Sequence, residues 1–161
     1  MMPSTGPDIG YIPTPQDLLG DVLAWTRVGE TDILYDLGCG DGRVTIAAAK
    51  QFGTRGVGID IDRDRISEAA ENAKIAGVGD RVQFRQGNLF ESHFGEATVI
   101  FLYLLPHLNL RLKPQLFEQL QPGTRIISRD FDMGDWKPDR ILHLPHPEEE
   151  CTFYFWQIPI H

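Results

Sequence analysis

The chain has 161 residues, 42% of them hydrophobic, and its 15 Lys and Arg against 23 Asp and Glu give a formal charge of -8. That size and apolar content suit one globular domain burying its own core and exclude a disordered chain, while the acid excess argues against a broad grip on nucleic-acid phosphates. The opening MMPSTGPDIG lacks the pattern of a secretory leader, and no uncharged apolar run reaches about 18 residues, so a cytoplasmic protein without a membrane span is expected.

In chain order, PTPQDLLGDVLAWTRV (13–28) predicts a first helix, with Thr14 as a candidate cap, Pro15 in the first turn and Leu18, Leu19, Val22 and Leu23 as one apolar stripe. DILYDL (32–37) predicts a strand, GRVTIAAAKQF (42–52) a helix, RGVGID (55–60) a second strand and DRISEAAENAKIAG (64–77) a helix stopped by Gly77. Strands follow at RVQFRQ (81–86) and ATVIFLYL (97–104). NLRLKPQLFEQLQPG (109–123) carries Pro114, which predicts a turn or a separate short helix in its first part. TRIISRDF (124–131) is the fifth strand. RILHLP (140–145) and CTFYFWQIPI (151–160) are too close for an intervening helix and predict an antiparallel hairpin. Apolar strands alternating with helices indicate an α/β sheet that is mostly parallel.

YDLGCGDGR (35–43) joins the first strand to a helix through glycines at 38, 40 and 42. Such a turn sets backbone N–H groups beside a ligand, or it merely allows close packing. A dinucleotide fingerprint requires G-x-G-x-x-G, but Arg43 stands where the third glycine belongs, and Asp36 and Asp41 would repel a pyrophosphate. A cofactor with an ammonium group and no phosphate fits better. Asp60 closes the second strand, placed for a ribose diol or else as a solvated acid, and ranks ahead of Asp62. Asn88 follows the third strand, where it either bonds an adenine edge, with Leu89 or Phe90 against the ring, or forms an Asx turn.

YDLGCGDGR, GVGID and QGNLF together resemble the S-adenosylmethionine-dependent methyltransferases of the Rossmann-like, seven-strand class. The resemblance covers about residues 31–158, with 1–30 as a lead-in and helix, and implies a single domain over 1–161 with helices on both faces of the sheet. It implies that Asp36, Gly38, Cys39, Gly40 and Gly42 lie along the methionine part of the cofactor. Asp60 would meet the ribose and Asn88 the adenine, with Ile61, Leu89 and Phe90 as further cofactor-binding candidates. S-adenosylhomocysteine is then the product. YIPTP (11–15), IFLYLLP (100–106) and GTRIISRDFDMGDW (123–136) further resemble small bacterial methyltransferases related to mitochondrial lysine methyltransferases that modify the membrane rotor of ATP synthase. A more distant likeness is to the non-SET histone lysine methyltransferases. Tyr11 and Thr14 would then close over the cofactor.

The acceptor region lacks the Asn/Asp-Pro-Pro-Tyr motif of amide and base-amine methylation, and no Pro-Cys pair is present to attack a pyrimidine. His143, His146, Glu148 and Cys151 form no ligand pattern for a metal. An amine acceptor needs a desolvated, aligned channel, for which Tyr103, Phe131 and Trp136 are candidates, with Asp130 or Asp132 to hold the incoming ammonium. Each has a plainer reading: Tyr103 and Phe131 as packing, the acids as solvated turns, Trp136 packed on the hairpin. A protein lysine is the expected acceptor, with a small molecule, or a cofactor-binding module without catalysis, as alternatives. Nucleic acid is disfavoured, and the sequence leaves the oligomeric state open.

Overall fold

The computed structural model describes residues 14–147 and 150–160; Tyr11 and Glu148 lie outside them. The elements run α1 (Gln16–Thr26), β1 (Ile33–Leu37), α2 (Arg43–Phe52), β2 (Arg55–Asp60), α3 (Arg63–Ile75), β3 (Val82–Gln86), β4 (Val99–Leu102), α4 (Pro106–Gln119), β5 (Arg125–Arg129), β6 (Arg140–Leu144) and β7 (Cys151–Gln157). A short 3-10 turn, Leu89–Glu91, follows β3.

The seven strands form one sheet in the order β3-β2-β1-β4-β5-β7-β6. Strands β1 to β5 are parallel, and β7 runs antiparallel between β5 and β6. Strand alternation divides the core. Leu34, Val99, Phe101, Ile127 and Phe153 pack with Leu19, Val22, Val44 and Ala48 from α1 and α2. Tyr35, Leu37, Ile100, Leu102, Ile126 and Trp156 face Leu108, Leu112 and Leu116 of α4. The sheet order reverses at β1, which opens a crevice at the carboxyl ends of the parallel strands.

Three local expectations need correction. Pro114 neither ends nor divides a helix, because α4 runs through it from Pro106. The missing N–H falls on an exposed face, where the unpaired carbonyl turn meets water. Thr14 does not cap α1: the helix starts after Pro15, without a side-chain cap. The fifth strand stops at Arg129, since Asp130 takes a left-handed backbone with φ of 62°.

Trp136 takes the hairpin alternative. Its ring lies 4.5 Å from that of Phe117 and 5.6 Å from that of Trp156, on the α4 side of the sheet. Trp156 Nε1 donates to the Trp136 carbonyl at 2.8 Å, anchoring the loop after β5 to the last strand. Because Trp136 is only partly buried, Trp136→Ala should cost about 3 kcal/mol of stability, the low end for large aromatic deletions, with cofactor affinity unchanged. Urea unfolding beside calorimetry checks this; a cost below about 0.5 kcal/mol, typical of surface positions, would mean that the ring does not hold the loop.

Candidate active site

The turn after β1 is built by positive φ at Gly38 (90°), Gly40 (55°) and Gly42 (83°). Gly38 N and Cys39 N both donate to the Ile59 carbonyl, which ties the turn to the end of β2. The glycines serve different ends. A Cβ on Gly42 would stand 2.9 Å from Ala69 Cβ and from Phe84 Cζ, so the protein's own packing forbids a side chain there. Nothing lies within 4 Å of a Cβ built on Gly40, so the turn is open to a ligand at that point.

Asp36 and Asp60 flank this opening. Asp60 Oδ2 accepts from Gly40 N at 2.9 Å and Oδ1 from Asp62 N at 3.0 Å, which fixes the carboxylate at the crevice. Asp62 instead caps α3, accepting from Asp64 N and Arg65 N, so its carboxylate is engaged by the helix. Asp36 is 4% exposed, and the charged groups that act on it are Asp60 and Asp41. Burial first, and then those two acids, push its carboxyl up to about 8. Asp41 behaves differently: burial opposes its charge, but hydrogen bonds and the charge of Arg43, 2.7 Å away, hold it below the usual range. Cys39 is driven far up by burial and the same acids, so it is an inert thiol.

A cleft beyond β2 and β3 is lined by Gly38, Asp60, Ile61, Asn88, Phe90 and Arg111. Asn88 Oδ1 accepts from Phe90 N at 2.9 Å, the Asx arrangement, which leaves its amide N–H2 as the group offered to a ligand. Leu89 lines the same cleft but is buried in the α4-side core.

A second group gathers at the ends of β4 and β5. Tyr103 and Phe131 stack with centroids 6.0 Å apart and planes at 15°. Arg129, fully buried, sets its guanidinium 4.2 Å over the Tyr103 ring and donates to Thr14 Oγ1 at 3.1 Å. Arg43 donates to the Thr14 carbonyl at 2.9 Å, so two arginines hold the chain at Thr14. Asp130 is engaged, with Oδ1 accepting from Thr152 N and Oδ2 3.3 Å from Arg129 Nε. Asp132 is exposed and accepts from Gly134 N through Oδ1 alone. Trp136 lies across the sheet from Tyr103 and joins neither group. His143 and His146 take separate partners, Thr152 and Asp17.

Arg129 and Asn109 escaped the sequence reading. An arginine closing the apolar strand RIISR was the available signal for the first. Asn109, buried on α4, donates through Nδ2 to Ser128 Oγ and to the carbonyls of Phe131 and Asp132, pinning the loop that carries Phe131.

The residues fit S-adenosylmethionine. Among the described residues the charged groups acting on the buried Asp36 are acids, which suits a ligand ammonium, Gly40 leaves room for one, and the Asp60 carboxylate would suit a ribose diol. The sheet order, the open glycine turn and the acid ending β2 are those of a Rossmann-like S-adenosylmethionine-dependent methyltransferase. Residues 36–140 match the model of the ANTKMT methyltransferase domain, and the chain belongs to that family.

A protein-lysine N-methyltransferase of Saccharolobus islandicus is 40% identical over 156 residues, 96% of this chain and 97% of that one. The human ATP synthase c-subunit lysine N-methyltransferase is 30% identical, over 93% of this chain and 70% of its own length. A Salinibacter ruber crystal structure, described as an RNA methyltransferase in complex with S-adenosyl-L-homocysteine, superposes with a TM-score of 0.88 at 55% identity, covering 93% of this chain and 95% of that one.

The Asp36 environment sets a pH dependence. A carboxyl raised on folding favours the folded state fully below about 4 and loses that contribution as pH climbs through about 8. Asp36→Asn should therefore melt higher than the wild type without ligand, by a margin that widens from pH 5 to pH 9. Its S-adenosylmethionine affinity should fall at least about tenfold at pH 8.5, the scale of a lost charged hydrogen bond. An equal margin at both pH values in thermal melts would contradict the buried-acid account. Asp60→Asn, which trades a charge-assisted acceptor for an amide, should cost about 1.5–3 kcal/mol of S-adenosylhomocysteine binding in calorimetry, with little change in melting.

Proposed function

We propose that this methyltransferase modifies lysine side chains of a protein. The observation that carries the reading is the parallel Tyr103–Phe131 stack at the ends of β4 and β5, beside the lead-in held by Arg129 and Arg43. The nearly full-length relative named as a protein-lysine N-methyltransferase supports it. Bound S-adenosylmethionine supplies a sulfonium-linked methyl group, and the chain's residues have to deliver a neutral, aligned nitrogen. Tyr103 already carries the Arg129 guanidinium over its ring, so the part of the stack is to exclude water, and that desolvation lowers the amine's pKa and favours loss of its proton. Asp132, exposed and with Oδ2 uncommitted among the described residues, receives the ammonium at the rim. Asp130 is already committed to Thr152 and Arg129, so its part is to shape the wall.

RNA is the second reading, because the Salinibacter ruber chain is described as an RNA methyltransferase. The net charge of -8 and the exposed Asp132, Asp135 and Asp139 around the loop after β5 favour a cationic acceptor over a polyanion. Among the described residues no helix is long and apolar enough to cross a membrane. We infer a cytoplasmic setting, which suits a chain whose two cysteines form no disulfide.

Incubating cell lysate with the enzyme and radiolabelled S-adenosylmethionine should place label in material that protease destroys and nuclease spares, and hydrolysis should recover methylated lysine. Label released by nuclease would establish the RNA reading instead. Phe131→Ala should cut transfer about 10- to 100-fold by loosening alignment and admitting water, while S-adenosylhomocysteine affinity stays within about threefold. Undiminished transfer would place the acceptor elsewhere.

A further inference from the structure

Arg111 is the member of the cofactor cleft that comes from α4, on the acceptor side of the chain, and no strand-end motif points to it. Its guanidinium carbon lies 4.0 Å from the centroid of the Phe90 ring, an aromatic that lines the same cleft. Among the described residues Arg111 has no hydrogen bond or ion pair, so its five N–H donors stay available beside a surface that orients them.

The groups around it define what it would meet. Asp60, across the cleft, is an acceptor and suits hydroxyl donors. Asn88 has spent its carbonyl oxygen on Phe90 N. Adenine presents acceptors at N1, N3 and N7 and one amino donor, so its ring nitrogens call for more donors than the Asn88 amide N–H2 alone provides, and the carboxylates of this site cannot supply them. A planar guanidinium can both donate in the plane of a base and rest on an aromatic face.

We propose that Arg111 determines specificity for the adenine of the cofactor, donating to one of its ring nitrogens while Phe90 holds the guanidinium in place. The assignment rests on the reading that this cleft takes the adenosyl end of S-adenosylmethionine. It also means that α4, which begins directly after the acceptor-side residues Tyr103 to Leu105, contributes to holding the cofactor.

Calorimetry on the full chain tests the proposal with S-adenosylhomocysteine and its 1-deaza, 3-deaza and 7-deaza adenine analogues. One analogue should bind the wild type about tenfold or more weakly than the parent, the scale of a hydrogen bond to a charged donor. Arg111→Gln should lose a similar factor for the parent and no longer distinguish it from that analogue. Because Arg111 is exposed, its melting temperature should stay at the wild-type value. Equal losses for the parent and all three analogues, or no loss for any, would overturn the proposal. Asp60→Asn separates the two levels of the argument. If Asp60→Asn weakens S-adenosylhomocysteine and Arg111→Gln does not, the cleft is right and Arg111 is only a surface residue resting on Phe90. If neither variant changes binding, the adenosyl end lies elsewhere and the proposal falls with the reading beneath it.

Discussion

The structure depends on one electrostatic constraint: Asp36 is buried against Asp60 and Asp41. Three acids that close to each other oppose folding unless each has its own solution. Asp41 is neutralised by Arg43, and Asp60 is held by the backbone N–H groups of Gly40 and Asp62. Asp36 has neither a cation nor a hydrogen bond among the described residues, and it remains the site's standing cost. A cationic ligand group placed beside it would relieve that cost, and part of its binding energy would then come from a penalty that folding has already imposed.

Arg43 and Arg129 extend the constraint outward. Arg43 satisfies Asp41 and also grips the Thr14 carbonyl, while Arg129 reaches the Thr14 hydroxyl from the opposite wall. Thr14 is thereby fixed to the glycine turn on one side and, through Arg129, to the Tyr103–Phe131 pair on the other. The partly buried Arg43 and the fully buried Arg129 therefore meet at Thr14, between the glycine turn and the Tyr103–Phe131 pair.

The regular elements were legible because each carries a strong period: apolar strands, helices with a buried stripe, and a closing pair of strands too near for a helix. Asp60 was separable from Asp62 for the same reason, since alternation carries it to the end of β2 while Asp62 falls at the cap of α3. Past β5 that logic fails. The left-handed turn at Asp130 breaks the alternation, so the sequence does not say on which face Phe131 and Trp136 emerge, and they separate. Pro114 misled because a proline's cost depends on whether its helix face meets solvent, which is a tertiary fact. Arg129 and Arg111 were hidden because an isolated arginine looks the same in sequence whether it is solvated, stacked or buried.

The antiparallel finish bears on how the protein is made. β7 lies inside the sheet, between β5 and β6, although it is the last strand in the chain. Strands β1 to β5, with Asp36 in β1, and the glycine turn leave the ribosome before it. Asp130, however, waits for Thr152, and Trp136 for Trp156. During synthesis the acceptor end cannot reach its native arrangement until β7 has emerged, because domains fold as units and this strand completes the sheet. β7 also carries Phe153 and Trp156 into the cores on the two faces of the sheet, so a chain stopped before Cys151 would lose packing on both sides as well as the strand that shapes the acceptor end.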